Sequence, residues 1–162
     1  MTLSAKIQIP FWPVPMTLHV LALMALAAAL GPRMATAIIS GYLVAGAIGL
    51  PVFSGTPAKG IGIAYMFGPT GGYLLGMLLA APLVGYLSVS RGIPGKIVAM
   101  LLGLTAIYLP GLAWLAAFVP VEKILAFGFY PFIAADLIKV ILAACGVHAI
   151  LSLLNRFKSQ GL

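Results

Sequence analysis

The sequence predicts an all-α integral membrane protein, a polytopic bundle of transmembrane helices that forms one domain over residues 1–162. Hydrophobic residues make up 63% of the 162 positions and charged residues only 7%, whereas a soluble domain is roughly half apolar and about a quarter charged. So few charges cannot cover a soluble surface. The apolar stretches approach the ~20 residues that cross a hydrocarbon core. Because they are continuously apolar and do not alternate with polar residues, a transmembrane β-barrel is disfavoured.

Five spans are predicted, each bounded by Pro, Gly or polar residues. They cover residues 16–30, 34–50, 68–90, 96–119 and 131–154. Gly31-Pro32 separates the first two spans, and Gly68-Pro69 opens the third. Residues 52–67 form a Gly-rich connection, and residues 155–162 form a polar tail.

Lys and Arg lie unevenly on the two sides of this bundle. One side carries no acid and holds the larger set, Arg33, Arg91, Lys96, Arg156 and Lys158. The other side holds the smaller set, Lys6, Lys59 and Lys123, the last beside Glu122. Cytoplasmic loops carry the excess of Lys and Arg. We therefore expect a multi-pass protein of the cell membrane with its C-terminus in the cytoplasm and with residues 51–67 and 119–130 outside.

The N-terminus presents an anomaly under this topology. Five spans with a cytoplasmic C-terminus place residue 1 outside, but residues 1–9 contain no apolar segment of the length that a signal peptide needs. A further helix upstream of residue 1 would resolve the anomaly. We therefore expect the natural protein to begin earlier.

Two ladders of small residues predict how the helices pack. Each has the four-residue spacing that places side chains on one helix face, and such stripes let helix backbones approach closely in lipid. The first ladder comprises Ala37, Gly41, Ala45 and Gly49. The second ladder comprises Gly68, Gly72, Gly76 and Ala80.

Several function classes find no support in the sequence. The net charge of +7 arises from singly scattered Lys and Arg, which is atypical of a nucleic-acid surface. Cys145 is the only cysteine, and neither it nor His19 has partners at metal-ligand spacing, so no metal site is expected. We expect His19 to pack against its neighbours or to form hydrogen bonds. Two acids, no nucleophile paired with a base and no Walker A pattern predict no enzymatic activity.

Asp136 and Lys139 interrupt an otherwise apolar run of residues 132–154. Each ionisable group at a helix centre costs about 2.5 to 3.5 kcal/mol, so two of them call for a reason. Their i, i+3 spacing puts both on one face. They can simply form an ion pair, or they can bind a ligand, with Lys139 attracting a carboxylate and Asp136 accepting hydrogen bonds from N–H groups. We favour the ligand site, which lies near Pro131 at the outward end and would be filled from outside.

Residues 68–73 and several aromatic residues are further candidates for this site. Pro69 suits a first helical turn, Thr70 offers a hydroxyl, and Gly71 admits a close approach of the backbone. A loop-to-helix transition with tight packing is an equal alternative. Aromatic side chains could line an apolar pocket, although a membrane-interface belt is the commoner role. The candidate ligand contacts are Asp136, Lys139, Thr70, Gly71, Tyr73, Tyr42 and Phe53.

A series of motifs in a fixed order resembles the BioY family, the biotin-specific substrate-binding (S) components of energy-coupling factor (ECF) transporters. The resemblance covers nearly the whole chain. It rests on Pro13-Val14-Pro15-Met16-Thr17-Leu18, Gly31-Pro32-Arg33, residues 46–53, Gly68-Pro69-Thr70-Gly71-Gly72-Tyr73, and Pro131-Phe132 with Asp136 and Lys139.

The resemblance implies high-affinity capture of biotin from the extracytoplasmic side and partnership with a transmembrane coupling protein and two ABC-type ATPases. Biotin would be the transported ligand and no cofactor is implied. The family's aspartate and lysine in the last helix match Asp136 and Lys139. The resemblance implies six helices, of which the first carries small residues that dock on the coupling protein, and we expect this helix to lie upstream of residue 1. The alternatives are an S component for another small vitamin, or a structural subunit of a membrane complex.

Overall fold

The computed structural model describes residues 1–9 and 13–159. The end of the predicted polar tail and the side chain of Lys158 lie outside the described residues. The elements in chain order are α1 (Thr2–Lys6), β1 (Gln8–Ile9), β2 (Met16–Thr17), α2 (His19–Ala47), α3 (Ile63–Met66), α4 (Gly71–Ser88), α5 (Ile93–Leu115), a 3₁₀ turn (Val121–Lys123), α6 (Ile124–Gly128) and α7 (Tyr130–Ser159).

Helix α2 consists of two antiparallel halves joined at Gly31. Gly31 has φ 80° and ψ 178°, a left-handed φ that favours glycine and interrupts the helix. The hydroxyl of Tyr42 lies 2.8 Å from Nε2 of His19, 23 residues away, whereas a straight helix of that length would separate them by about 35 Å. The two halves, 19–30 and 32–47, therefore fold back on each other. This confirms the break predicted at Gly31-Pro32.

The span count depends on this hairpin. By length and composition, four helices in the described part of the chain can cross a membrane, with α2 counted once. Dividing α2 at Gly31 gives the five predicted segments. The predicted all-α multi-pass fold is confirmed, and the short antiparallel pair of β1 with β2 is an addition that it did not include.

Helix α4 packs closely on α5 through the second small-residue ladder. A Cβ at Gly76 would lie 2.6 Å from Cα of Ile107, and one at Gly72 would overlap the backbone of Pro110. Further along α4, a Cβ at Gly85 would lie 2.6 Å from Cα of Pro32. Helix α4 thus sits between α5 and the α2 hairpin because its glycines carry no side chain.

The first ladder does not pack against another helix of the described residues at Ala37 and Gly41, so the prediction was wrong for this part of the ladder. Ala37 and Gly41 are exposed, and a Cβ at Gly41 would meet nothing within 4 Å. The close approach on this half of α2 occurs instead at Gly46, where the ring of Phe53 occupies the space of a side chain.

The alternating directions of the spans gather different segments at the two ends of the bundle. The start of α2, the connection 48–70 and the start of α7 lie together, and we call this the site end. The Gly31-Pro32 break and the α4–α5 turn lie at the opposite end, which we call the turn end.

Candidate ligand-binding site

Helix α7 brings Asp136 and Lys139 into direct contact at the site end. Nζ of Lys139 lies 2.8 Å from Oδ1 of Asp136. The other carboxylate oxygen, Oδ2, accepts a hydrogen bond of 2.7 Å from the hydroxyl of Tyr108 on α5. Lys139 also donates to the main-chain oxygen of Thr17 at 2.7 Å. Asp136 is buried and Lys139 is partly buried, and groups from α5, α7 and β2 hold the pair.

A second polar group lies around His19 at the start of α2. The Nε2 atom of His19 forms the 2.8 Å hydrogen bond with Tyr42, and Nδ1 lies 3.2 Å from Oγ1 of Thr17. The hydroxyl of Tyr42 also donates to the main-chain oxygen of Val52 at 3.4 Å. The hydrogen-bonding role expected for His19 is therefore the one that it has in the structure.

Aromatic rings pack against one another at this end of the bundle. The ring of Phe53 is fully buried. It stacks on Tyr65 with centroids 4.9 Å apart and meets Tyr42 edge-on at 5.4 Å. Burial raises the pKa of Tyr65, which keeps its hydroxyl protonated. Tyr42, Phe53 and Tyr73 thus lie inside the protein and not in a belt at the membrane interface.

Two small adjoining cavities occupy the space between these groups. The first, the His19 chamber, has a volume of about 50 Å³ and is lined by His19, Tyr42, Ser54 and Thr70 together with apolar residues. The second, the Asp136 chamber, has a volume of about 60 Å³ and is lined by Asp136, Lys139 and Tyr108 together with apolar residues. Both cavities share the lining residues Val14, Pro15, Thr17, Tyr73 and Met77.

The structure brings together most of the residues selected from the sequence. Asp136 and Lys139 line one chamber, Tyr42, Phe53 and Thr70 line the other, and Tyr73 lines both.

Gly71 is among the lining residues of neither chamber. A Cβ there would overlap the main-chain oxygen of Met66. The close packing considered as an alternative for this segment thus describes Gly71.

Tyr73 and Trp114 fix the position of the 68–73 segment. The hydroxyl of Tyr73 donates to the main-chain oxygen of Gly128 at 2.8 Å. Nε1 of Trp114 donates to the main-chain oxygen of Gly68 at 3.0 Å. The start of α4 is therefore tied both to α5 and to the end of α6.

The connection 51–62 lies over the His19 chamber and is held by the N-terminal segment. Nζ of Lys6 donates to the main-chain oxygen of Phe53 and to Oγ1 of Thr56, each at 3.1 Å. Oγ of Ser54 forms a short hydrogen bond with the side chain of Gln8. These contacts join two segments that are remote in sequence and cover one side of the site.

Sequence reasoning missed Tyr108 and Ser54 as lining residues. Tyr108 stands in an apolar helix 28 residues before Asp136, and no local spacing indicates that the two meet. Ser54 lies in an irregular connection, where neither helical nor strand periodicity indicates a facing side.

Comparison with known proteins identifies the family. The model of the BioY family matches residues 1–156. The chain belongs to the BioY family. A probable biotin transporter BioY of Pyrococcus horikoshii is 38% identical over 138 residues, which cover 85% of this chain and 81% of that protein. The biotin transporter BioY of Thermotoga maritima is 38% identical over 143 residues, 87% of this chain and 83% of that protein.

A solved structure shares the fold of this BioY-family chain. It is a crystal structure of the S-component for biotin from an ECF-type ABC transporter. The TM-score is 0.80 at 29% sequence identity, and the match covers 93% of this chain and 84% of that chain. The family predicted from the motifs is confirmed, and the relatives are transporters rather than enzymes.

Proposed function

We propose that this BioY-family chain binds biotin at the site end and serves as the S component of an ECF-type transporter. The observation that carries the proposal is the ion pair of the buried Asp136 with the partly buried Lys139, which lines a cavity at one end of a membrane-spanning bundle. Charges at such depth are costly and mark substrate sites in membrane proteins. The BioY family and the biotin transporters among its relatives give the ligand its identity.

The contacts of the pair favour the ureido ring of biotin as its ligand group. Asp136 and Lys139 touch each other, so they face the same end of any ligand. A ureido ring offers two N–H donors and one carbonyl acceptor. Lys139 uses two of its three donors on Asp136 and Thr17, which leaves one for a carbonyl. Each oxygen of Asp136 retains a lone pair for a ligand N–H.

This assignment differs from the one expected from charge alone, in which Lys139 attracts the carboxylate. The carboxylate of Asp136 already neutralises Lys139 at 2.8 Å, so little net positive charge remains to attract a second carboxylate. The His19 chamber presents hydroxyl and imidazole groups from His19, Tyr42 and Thr70. We assign the carboxylate of biotin to that side.

The proposal extends to partners and direction. As an S component, the chain would assemble with a transmembrane coupling protein and two ABC-type ATPases, which would supply the energy that a chain without a Walker A motif cannot. The excess of Lys and Arg at the turn end supports a cytoplasmic C-terminus and a site open to the outside.

Binding of biotin and biotin amide to the purified protein and its variants tests both the function and the assignment. We expect Lys139→Met and Asp136→Asn to lower biotin affinity by about tenfold to more than a hundredfold, since a hydrogen bond to a charged group contributes about 1.5 to 3 kcal/mol. Lys123→Met, an exposed lysine at the same end, is the matched control and should bind normally. Isothermal titration calorimetry gives the affinities.

The ratio of the two affinities separates the possible roles of Lys139. If Lys139 reads the ureido ring, Lys139→Met weakens biotin and biotin amide by the same factor. A preference for biotin that disappears in Lys139→Met would instead show that Lys139 reads the carboxylate. Biotin affinity within about twofold of wild type in both pair variants, with lowered thermal stability, would identify the pair as purely structural.

A further inference from the structure

The α4–α5 turn at the turn end is held by a buried lysine. Lys96 is 4% exposed. Its Nζ donates to the main-chain oxygen of Ser88 at 3.3 Å and, through a shorter contact, to that of Arg91. Both acceptors belong to the end of α4 and the turn that follows it. The main-chain oxygen of Arg91 therefore bonds the buried Lys96, whereas the side chain of Arg91 is exposed.

The side chain of Arg91 lies across the first turn of α5. A Cβ at Gly95 would come within 2.9 Å of Cβ and 3.2 Å of Cδ of Arg91. The Arg91 side chain can occupy this position because Gly95 has no side chain. Arg91 is exposed, and its guanidinium has no hydrogen bond or ion pair with any described residue.

Arg91 stands at one end of an apolar groove between α4 and α5. The groove has a volume of about 310 Å³ and is lined by Leu87, Pro94, Val98 and Leu102 as well as by Arg91 and Gly95. Val98 is 58% exposed and Leu102 47% exposed, so this wall opens outward from the bundle. The groove combines an apolar channel with a single unpaired cation.

We propose that this groove binds one anionic phospholipid, with the phosphate at Arg91 and an acyl chain along Val98 and Leu102. The charge of the bundle supports an anionic headgroup, because the only two acids, Glu122 and Asp136, lie at the site end. A soluble phosphate could form an ionic contact with Arg91 but would make no contact with the apolar wall of the groove. The proposal depends on membrane insertion and is independent of biotin binding.

Native mass spectrometry of the purified protein with added lipid tests the proposal. Dioleoylphosphatidylglycerol supplies the anion, and dioleoylphosphatidylcholine, with the same chains, supplies a zwitterionic control. A basic residue near a membrane surface contributes about 1 kcal/mol, so we expect Arg91→Gln to bind phosphatidylglycerol about fivefold more weakly. Arg33→Gln removes an exposed cation from the same end but outside the groove, and should retain wild-type binding.

A second variant tests the apolar wall. Val98→Trp fills the groove from an exposed position and should lower phosphatidylglycerol binding while Arg91 remains. Glycerol phosphate, which has the anion without the chains, should not compete at concentrations equal to those of the lipid.

Wild-type biotin affinity in all three variants would verify that they are folded. Equal loss in Arg91→Gln and Arg33→Gln, equal binding of the two lipids, or effective competition by glycerol phosphate would each overturn the proposal.

Discussion

Asp136 is the residue at which distant parts of the chain meet. Its two oxygens are held by Tyr108 from α5 and by Lys139 from its own helix, and Lys139 in turn bonds the main chain of Thr17. An ionised carboxylate in a buried site is stable only when such partners satisfy it. The ligand chamber is thus also a junction that fixes α7 relative to α5 and the N-terminal segment.

Tyr108→Phe removes one support of this junction and leaves the ring in place. Tyr108 is 7% exposed and its only polar contact in the described structure is the 2.7 Å bond to Oδ2 of Asp136. We expect a loss of about 1.5 to 3 kcal/mol, observed as a lower unfolding temperature and about tenfold weaker biotin binding. Tyr86→Phe, at a tyrosine 74% exposed on α4, is the matched control. Unchanged biotin affinity in Tyr108→Phe would show that Tyr108 does not position Asp136.

The polar group around the His19 chamber allows a separate prediction at the residue scale. If this chamber receives the carboxylate of biotin, Thr70→Val removes a hydroxyl at nearly constant volume and should lower biotin affinity several-fold. Biotin amide should lose less, because its amide places less charge near the missing hydroxyl. Titration of both ligands against wild type and Thr70→Val measures the difference. Equal losses for the two ligands would contradict the assignment.

Local spacing predicted the contact of Asp136 with Lys139, because positions three apart share a helix face whatever surrounds the helix. No equivalent rule reaches the contact of Tyr108 with Asp136, 28 residues apart, or that of His19 with Tyr42, 23 residues apart. Both depend on how whole helices are arranged. The sequence therefore indicated the charged centre of the site and the hydroxyl-bearing candidates Thr70, Tyr42 and Tyr73. It did not indicate that the hydroxyl of Tyr108 bonds Asp136 or that the hydroxyl of Tyr42 bonds His19.

At the scale of elements, the two small-residue ladders show what periodicity predicts and what it does not. Both have the same spacing, which establishes that each forms a continuous stripe on one face. Only the arrangement of neighbouring helices decides which stripe is covered. Gly76 lies against Ile107, whereas Gly41 faces open space. The break at Gly31-Pro32 was predictable because glycine and proline act on the backbone locally.

A matched pair of glycine substitutions tests this difference. In Gly76→Ala, the new Cβ would lie 2.6 Å from Cα and 2.7 Å from the main-chain oxygen of Ile107, and neither backbone atom can move alone. Overpacking of this kind costs about 1 to 3 kcal/mol, which thermal unfolding in detergent should show as a clear fall in midpoint. In Gly41→Ala the methyl group meets nothing within 4 Å, so stability should be unchanged or should rise by up to about 1 kcal/mol, because alanine favours the helix more than glycine does. A comparable loss in both variants would mean that Gly41 is covered within this chain.

At the scale of the whole molecule, the two ends of the bundle differ in charge and in structure. The site end holds the two chambers, both acids and the connection that lies over the His19 chamber. The turn end holds tight connections and the cations Arg33, Arg91 and Lys96 without an acid. A transporter subunit needs such asymmetry, because the ligand must enter from one side. The distribution of charge along the sequence is sufficient to indicate the difference in charge between the two ends, because Lys and Arg are enriched on the cytoplasmic side during membrane insertion.

The direction of the bundle can be measured by labelling cysteines in intact cells. Ser54 suits this poorly because it is 3% exposed, so the probe for the site end is better placed at the exposed Ala58 in the same connection. Asn155, exposed near the end of α7, serves for the turn end, and Cys145→Ala removes the native thiol. With the excess of Lys and Arg in the cytoplasm, a membrane-impermeant maleimide should label Ala58→Cys in intact cells and Asn155→Cys only after permeabilisation. If only Asn155→Cys were labelled in intact cells, the orientation of the bundle would be the opposite of the one proposed. The biotin site would then lie on the cytoplasmic side.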